Sequence, residues 1–310
     1  MLLQIRKKLH FAIIFIAAQA INTPAIGENK VVADPKNVAF CKNMAQHLPG
    51  VTQNLCQQAH LVDAGARSVK GVPLLKRDVI TVGDDPASPA KIKVMVIGGI
   101  HGDELSSSAL ALNWINLATQ SSTNQAPNNV PNNAISNSPA IFAGGIHWRF
   151  IPMLNPDGLT NVPAKRVNAN GVDLNRNFPT PNWARDAKIY WEQKTKKDPR
   201  RWPGKEPLSE PESKFLHAEM ASFKPNLIVS IHAPYGVLDF DGPTTPPSKL
   251  GRLYLDQVGI FPGSLGNYGG VHKGMPVVTI ELPNAQRIPL DAETRQMWLD
   301  LLRWMGERLK

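Results

Sequence analysis

The sequence predicts an α/β fold in which a mixed, mostly parallel central sheet is flanked by helices and preceded by a small N-terminal helical hairpin. Two observations predict it: short runs rich in Val, Ile and Leu are typical of buried strands, and these runs alternate with helical segments. At 310 residues the chain suits one main domain, since domains usually hold about 100–200 residues. A composition of 42% hydrophobic and 19% charged residues excludes a chain that is mostly disordered or membrane-embedded.

The individual elements follow from the hydrophobic pattern. Four apolar runs indicate strands, at residues 93–99, 148–154, 227–231 and 277–282. Four further segments have helical character, at residues 106–118, 186–195, 210–222 and 292–309. Residues 119–139 are rich in Ser, Asn and Pro, a composition that cannot supply a packed core, and they are predicted to form a surface loop.

The first twenty residues differ from the rest of the chain. Three basic residues precede an apolar stretch at residues 11–18, which ends in Ala18-Gln19-Ala20. This stretch is too short to cross a bilayer core of about 30 Å as a helix, and its end fits the small-x-small pattern of signal-peptide cleavage. Residues 1–20 are therefore predicted to be a secretory signal peptide, with an uncleaved membrane anchor as the alternative. The mature protein is predicted to be periplasmic or secreted, with no stable membrane insertion.

Residues 34–66 are predicted to form the helical hairpin, with residues 67–310 as the main domain. Its helices are expected at 38–47 and 51–61, separated by the helix breaker Pro49-Gly50. The chain has two cysteines, Cys41 and Cys56, which are expected to pair in an oxidising compartment. Such a bond closes a short loop and contributes up to about 3 kcal/mol in the chain-entropy model. A two-thiolate zinc site is the weaker interpretation, because no nearby Cys/His pair completes four ligands.

The chain is basic, and its charge bears on partners. The net charge of +9 falls to +6 when residues 1–20, with three basic and no acidic residues, are removed. The densest basic run spans residues 194–205. No nucleic-acid-binding motif surrounds it, so a solvated loop is favoured over a nucleic-acid site.

Polar residues that can bind a metal stand at the ends of predicted strands, where open α/β sheets bind ligands. His101 and Glu104, spaced i and i+3, follow the first strand, and His232 follows the third. Two histidines and a carboxylate, with a fourth position left for water, are typical of a catalytic zinc site. Glu281, at the end of the fourth strand, is placed to act as a general base beside the metal. Each residue alone could be a satisfied buried polar group, but their common position at strand ends favours one site.

These residues belong to an ordered set of motifs. The set comprises His101-Gly-Asp-Glu104, Asn155-Pro-Asp-Gly158, the stretch from Arg166 to Phe178, His232, and Glu281-Leu-Pro. It resembles the carboxypeptidase A-like zinc peptidases, and within them the murein peptide amidase group. The resemblance covers residue 66 to the C-terminus, implies a zinc carboxypeptidase-like fold for residues 67–310, and leaves the hairpin outside.

The resemblance implies a role for each matching residue. His101, Glu104 and His232 would bind one Zn²⁺ per chain, a ligand set of which carboxypeptidase A is a standard example, and Glu281 would be the general base. Arg166 would stabilise the oxyanion. Further residues would act around them: Asn175 and Arg176 would hold the carboxylate of the leaving residue, and Asp173 would orient His101.

The motifs depart from the digestive carboxypeptidases at two places. Asp103 stands where those enzymes carry an arginine, as in the amidase group. An acid there suits a substrate with an ammonium group, although capping of the following helix is an equal alternative. The mobile substrate-binding tyrosine has no clear counterpart: Ile260 and Phe261 occupy its region, and two other residues could replace it, Tyr235 or Tyr268.

The expected function is an exported zinc metallopeptidase that hydrolyses the γ-D-glutamyl-diaminopimelate bond of murein stem peptides or muropeptides. Members of the amidase group act on recycled fragments in the cytoplasm, so an exported version would meet intact murein or released muropeptides. One alternative keeps the zinc site in a carboxypeptidase or N-acyl amino acid deacylase that acts on other substrates. Another is an inactive zinc-containing domain that binds cell wall; Glu281 argues against it, because binding alone needs no base.

Overall fold

The computed structural model describes residues 35–81, 92–122 and 145–309. The predicted signal peptide and residues 123–139 of the predicted loop lie outside these ranges. The described residues contain a seven-stranded sheet with the strand order β1-β2-β4-β3-β5-β9-β6.

The four predicted strands are the four parallel strands at the centre of this sheet. They are β3 (Ile92–Ile97), β4 (Ile146–Ile151), β5 (Leu227–His232) and β9 (Val277–Glu281). Strands buried on both faces have continuous apolar sequences, which is why their pattern is clear. The outer strands pair antiparallel: β1 (Val62–Arg67), β2 (Pro73–Thr81) and β6 (Val237–Asp241). The fold class is confirmed, since the sheet is mixed with a parallel centre.

The remaining elements connect and cover these strands. The longer helices are α1 (Pro35–His47), α2 (Gln53–Gln58), α3 (Leu105–Ser122), α5 (Trp183–Ile189), α6 (Pro211–Phe223) and α7 (Asp291–Arg308). The short elements are α4 (Pro156–Leu159), the 3₁₀ turns Leu174–Arg176 and Pro199–Arg201, the π-helical turns Tyr190–Lys194 and Gly266–His272, and the hairpin strands β7 (Lys249–Leu250) and β8 (Leu253–Tyr254). The predicted helix 186–195 is thus the end of α5 and a π-helical turn. No described helix has the length and apolar character needed to cross a membrane.

Two apolar cores lie on the two faces of the sheet, because side chains alternate along each strand. In β3, Val94 and Val96 belong to the first core, whereas Met95 and Ile97 belong to the second. The first core contains α3, α7 and the hairpin, and the second contains α6. This packing fixes the carboxyl ends of the central strands at one edge.

The hairpin is shorter than the sequence predicts. The predicted second helix, residues 51–61, is α2 over Gln53–Gln58, and the chain enters the sheet as β1 at Val62 rather than after residue 66. The Cys41 and Cys56 sulfurs are 2.07 Å apart, which is a disulfide bond between α1 and α2. Both cysteines are fully buried in the first core, so the hairpin belongs to the same compact unit as the sheet.

Candidate active site

The loop after β3 is shaped by small residues. A Cβ on Gly98 would lie 2.8 Å from the carbonyl oxygens of Pro152 and Ser107, so only glycine allows this close approach. Gly99 adopts a φ of +60°, which glycine tolerates without steric cost. The chain therefore turns sharply after Ile97, and His101 and Glu104 lie at the end of the sheet just before α3 begins.

His232 is the last residue of β5, and Glu281 is the last residue of the adjacent strand β9. The two residues are register partners in the parallel pair β5–β9. Ser230 supports His232, because its Oγ lies 3.1 Å from Nε2 of the imidazole. The sequence predicted that these positions meet at a strand edge, and the structure places them there.

Three potential metal ligands converge at this edge. Nδ1 of His232 lies 3.2 Å from Nδ1 of His101 and 3.0 Å from Oε2 of Glu104, and Nδ1 of His101 lies 2.7 Å from Oε1 of Glu104. All three residues are buried, and their ligand atoms lie within 4.8 Å of one another. Two imidazole nitrogens and a carboxylate suit zinc, so the residues present fit the predicted ion. In the described ranges, this is the one group of three or more His, Cys, Asp or Glu residues that could hold a metal.

Asp173 connects the group of three potential ligands, called the metal edge, with the motif from Arg166 to Phe178. Nε2 of His101 lies 3.1 Å from Oδ1 of Asp173, and a ring that donates to this carboxylate through Nε2 presents Nδ1 to a metal ion. The same carboxylate accepts from Nε of Arg166 and from the backbone N–H of Asn175. Burial would raise the pKa of Asp173, but Arg166 and His101 outweigh it and hold the pKa well below its usual range. Asp173 is therefore an anion that orients His101.

Arg166 lies against the metal edge, with Nη1 at 3.3 Å from Oε1 of Glu104. The Asn155-Pro-Asp-Gly158 motif positions its backbone: Asn155 Nδ2 donates to the carbonyl of Arg166, which also accepts from the N–H of Gly102. Gly102 is required there, because a Cβ would collide with the backbone of Gly158. This motif therefore acts by joining the arginine loop to the histidine loop.

Arg176 is 97% buried and makes no ion pair within the described residues. Its guanidinium donates to the backbone carbonyl of Asn175 at 2.6 Å and stacks on Phe261, with Cζ at 4.4 Å from the ring centroid. Nε is buried and has no hydrogen-bond partner in this part of the chain. Burial lowers the pKa of Arg176, and Asp173 offsets part of that effect. An arginine in this state can bind a carboxylate from a ligand.

Glu281 faces the cavity beside these groups. Its carboxylate is buried, and Oε2 has no hydrogen-bond partner among the described residues. Burial raises the pKa of Glu281, although His232 lowers it in part. A carboxylate with a free buried oxygen and a raised pKa can accept and return a proton.

A cavity of about 360 Å³ connects these side chains. Its lining includes all the predicted site residues except Asp173, namely His101, Asp103, Glu104, Arg166, Asn175, Arg176, His232 and Glu281. Asn175 does not direct its amide oxygen at a ligand, since Oδ1 accepts from the N–H of Leu265 at 2.8 Å.

The Asp103 side chain forms an ion pair with Arg200, a residue that the sequence placed in a solvated basic loop. Its Oδ2 lies 2.8 Å from Nη2 of Arg200, and Oδ1 is buried without a hydrogen-bond partner in the described residues, so the side chain does not cap α3. Arg200 and Arg201 were interpreted as part of a solvated basic loop, yet both line the cavity. The sequence pattern carries no signal for this approach, because it depends on how the loop before α6 folds back.

The two candidate tyrosines occupy different environments. Tyr235 is 59% exposed and lines the cavity, whereas Tyr268 is buried against Phe178 and lies outside the lining. Phe261 also lines the cavity, where it stacks on Arg176. Sequence reasoning missed Asp239 and Asp241 of β6, which line the same cavity. Their signal was the alternation Val-Leu-Asp-Phe-Asp, which places both acids on one face of a strand.

The sheet, the convergent His/Glu/His group and the adjacent carboxylate define the protein as a hydrolase of the metallopeptidase class. Residues 44–240 match the zinc carboxypeptidase family, and the chain belongs to that family. Its members are zinc enzymes, which agrees with the ligand set.

Several proteins of known name are similar to the chain. It is 28% identical over 228 residues to murein peptide amidase A of Vibrio campbellii, which covers 70% of this chain and 77% of that protein. It is 30% identical over 158 residues to murein peptide amidase A of Escherichia coli K12, which covers 49% of this chain and 64% of that protein. The chain thus spans slightly less than two thirds of the Escherichia coli relative.

Solved structures give the same fold. The murein-tripeptide amidase MpaA from Escherichia coli O157 superposes with a TM-score of 0.50 at 25% identity, covering 77% of this chain and 90% of that one. Thrombin activatable fibrinolysis inhibitor superposes with a TM-score of 0.56 at 17% identity, covering 87% of this chain and 71% of that one. The second likeness shows the fold alone.

Proposed function

We propose that the protein is an exported zinc amidase that hydrolyses the γ-D-glutamyl-diaminopimelate bond of murein stem peptides. The observation that carries the proposal is the buried, unpaired Arg176 in the same cavity as the His101, Glu104 and His232 group. A buried cation without an ion-pair partner is costly unless a ligand anion completes it. The names of the relatives from Vibrio campbellii and Escherichia coli support the choice of substrate.

His101, Glu104 and His232 would hold the zinc ion, with Asp173 fixing the tautomer of His101 through its 3.1 Å hydrogen bond. Bound zinc supplies Lewis-acid polarisation of the scissile carbonyl and makes water acidic near neutral pH. Glu281 accepts the proton of the attacking water on its free Oε2 and returns it to the departing amine. Arg166, 13% exposed in its side chain, donates to the oxygen that becomes negative in the tetrahedral intermediate.

Arg176 binds the free α-carboxylate of the leaving residue. Phe261 stacks on one side of its guanidinium and the Asn175 carbonyl fixes Nη1, so the remaining donors have a defined direction. A planar guanidinium held in this way can bind a carboxylate through two parallel hydrogen bonds. The enzyme is therefore expected to remove one terminal residue rather than to cut within a chain.

Export is supported by the sequence of residues 1–20 and by the Cys41–Cys56 disulfide, since disulfides persist in oxidising compartments. When the full chain is produced in bacterial cells, the secreted or periplasmic form should begin at Ile21. A full-length chain found only in the cytoplasm with two free thiols would contradict export.

The substrate is tested with a muropeptide tripeptide, L-Ala-γ-D-Glu-diaminopimelate, incubated with the zinc-loaded protein. Mass analysis should show free diaminopimelate and the L-Ala-D-Glu dipeptide. An L-peptide that ends in an apolar residue is the matched comparison. Preference for the L-peptide would replace the amidase with a general carboxypeptidase, and cleavage of neither would indicate a binding domain.

A further inference from the structure

A second cavity, with a volume of about 640 Å³, lies beside the cavity of the candidate active site. Its walls come from residues 190–201, residues 256–261 and the start of β6 with Tyr235, and we call it the outer cavity. Four of its lining residues, Arg201, Tyr235, Val258 and Phe261, also line the active-site cavity of about 360 Å³. A ligand bound at the active site can therefore extend into a larger space next to it.

Phe261 separates the outer cavity from the proposed binding site of the substrate carboxylate. Its ring centroid lies 4.4 Å from Cζ of Arg176 and 5.5 Å from the ring centroid of Tyr190. In the proposed function, Arg176 binds the terminal α-carboxylate of the leaving residue, so the main chain of the substrate ends there. A main-chain extension into the outer cavity must then come from the acyl side of the scissile bond.

The wall formed by residues 190–201 has a specific shape. It begins with the π-helical turn Tyr190–Lys194, a conformation that is rare and often found at functional sites. Lys196 and Lys197 follow with φ values of +57° and +61°, which are uncommon for residues other than glycine. The backbone N–H of Lys197 and the hydroxyl of Thr195 both donate to the carbonyl of Trp191 and hold this path. The basic run therefore forms one wall of a cavity rather than only a solvated loop.

The lining of the outer cavity combines aromatic rings with polar groups whose formal charges cancel. The rings are Tyr190, Tyr235 and Phe261, and the charged residues are two basic and two acidic ones, Lys194, Arg201, Asp198 and Asp256. Arg201 lies 3.7 Å from Asp198, whereas Lys194, Asp256 and Gln257 make no side-chain hydrogen bond or ion pair within the described residues. Such a lining suits an uncharged ligand with apolar faces and many hydroxyl or amide groups, which describes a sugar.

Apolar side chains are exposed around the outer cavity. Tyr235, which lines it, is 59% exposed, and three exposed residues adjoin lining residues in the sequence: Ile189, Leu255 and Ile260. Exposed apolar groups bordered by polar residues are typical of binding grooves. These surroundings fit a ligand that continues beyond the cavity, as a glycan does.

We propose that the outer cavity binds the N-acetylated amino sugar that is joined to the amino end of a murein stem peptide. The inference rests on the proposed function, in which L-Ala and γ-D-Glu lie on the acyl side of the scissile bond. The next group on that side in intact murein is N-acetylmuramic acid, whose carboxyl group forms an amide with L-Ala, so the sugar is uncharged. Tyr190 and Tyr235 contact the faces of its ring, and Lys194 and Gln257 donate to its oxygen atoms.

The test compares two tripeptide substrates that differ in the sugar alone. N-acetylmuramyl-L-Ala-γ-D-Glu-diaminopimelate carries the sugar, and N-acetyl-L-Ala-γ-D-Glu-diaminopimelate has the same uncharged amino end without it. In the zinc-loaded wild type, kcat/KM should be higher for the muramyl substrate. The double variant Lys194→Ala, Gln257→Ala should lower the ratio of the two kcat/KM values roughly 10-fold, as expected for the loss of two hydrogen bonds.

The matched control is the double variant Gln193→Ala, Lys205→Ala. It removes the same two residue types from exposed positions in the same part of the chain, and neither residue lines either cavity. It should leave the ratio unchanged. Calorimetric titration with the cleavage products, N-acetylmuramyl-L-Ala-D-Glu and N-acetyl-L-Ala-D-Glu, gives the same comparison as a ratio of Kd values without turnover.

The outcomes separate the outer cavity from the amidase. Equal kcat/KM for the two tripeptides, together with equal Kd for the two products, would overturn the sugar site and retain the amidase. A preference for the sugar that the Lys194→Ala, Gln257→Ala variant keeps would also overturn this site. Tighter binding of the muramyl product that depends on Lys194 and Gln257, with neither tripeptide cleaved, would support the sugar site and overturn the amidase.

Discussion

Two regions of the cavity differ in how their buried charges are compensated. The first is the group around His101, Glu104 and His232, called the metal edge, and the second is the side formed by Asp239 and Asp241 of β6, called the acidic floor. At the metal edge Glu104 and Asp173 each contact Arg166, and the two histidines contact these acids, whereas Oε2 of the neighbouring Glu281 has no hydrogen-bond partner among the described residues. On the β6 side of the cavity, Asp241 lines the wall without a hydrogen bond or an ion pair to the described residues. In the first region the protein supplies partners for most of the charges, and in the second it supplies none for Asp241 among the described residues.

The difference also appears in the pKa values of the buried carboxylates of the two regions. Burial alone would raise the pKa of Glu104, but His101 and His232 hold it below its usual range. Burial of Asp241 meets no such opposition. The two regions therefore differ in how the protein sets the protonation of their buried carboxylates.

The largest expected effects come from the metal edge. Glu281→Gln removes the proton acceptor, and a general base contributes about 10²- to 10⁴-fold to the rate. The variant should keep its zinc, because Glu281 is not among the three converging ligands. His232→Ala should lose both zinc and activity. Metal analysis beside kcat/KM checks both expectations, and undiminished turnover by Glu281→Gln would reject its role as base.

The second prediction concerns Arg176, the proposed binding site for the α-carboxylate of the substrate. Amidation of the substrate's α-carboxylate should abolish cleavage, since it leaves the buried Arg176 without a partner at a cost of several kcal/mol. Arg176→Lys should lose most of its activity on the free acid, because an ammonium cannot make two parallel hydrogen bonds. Arg200→Lys is the matched control at the exposed rim, and its kcat/KM should change by less than about tenfold. Equal rates for the amide and the acid would place the carboxylate elsewhere.

The sequence allowed much of the metal edge to be predicted. His101, Glu104, His232 and Glu281 follow apolar runs that form buried parallel strands, and the ends of such strands meet at one edge. Those runs are continuous because both faces of the sheet are covered. The four central strands were therefore predicted, and the functional residues came with them.

Asp239 and Asp241 were missed for a related physical reason, because their signal is an alternation of apolar and acidic residues and not a continuous apolar run. Strand β6 carries Asp239 and Asp241 on its cavity face, so its sequence lacks the apolar run of a buried strand. A strand that breaks the local pattern marks a functional surface in this fold. The ion pair of Asp103 could not be predicted from the sequence either, because Arg200 contacts it from a loop 97 positions further along the chain.

A smaller effect is expected outside the cavity. Replacing Cys41 and Cys56 with serine should lower the free energy of unfolding by about 3 kcal/mol, because the disulfide closes a short loop. Activity of the folded variant should be retained, since neither cysteine lines the cavity. Urea unfolding with and without a reductant measures the first quantity and kcat/KM the second. A loss of zinc in the serine variant would show that the hairpin supports the metal edge.

The smallest effect is the most direct test of the contrast between the two regions, and it needs no substrate. The pKa of Asp241 is raised to about 6 in the folded protein from an ordinary value of 3.8, so the unfolded chain releases this proton first as the pH rises. Wild type therefore loses stability between about pH 4 and 6 and does not regain this contribution above pH 6. Asp241→Asn lacks that loss. Its stability relative to wild type should grow over this range by about 1–2 kcal/mol, after allowance for solvent screening.

The ionisable groups around Asp241 make this difference interpretable. Asp239 lies on the same strand; Glu281 of β9 pairs with Val237 at the opposite end of β6, and His272 of the π-helical turn is exposed. The substitution leaves these residues in place, and the carboxyl of Asp239 should ionise more readily when its neighbour is neutral. Urea unfolding from pH 4.5 to 7.5 measures the difference as about 1–2 kcal/mol, with Asp103→Asn as control. Because Asp103 is already paired with Arg200, its removal should give no gain at high pH. A constant difference between Asp241→Asn and wild type at every pH would mean that Asp241 has a partner after all, and the floor would then resemble the metal edge.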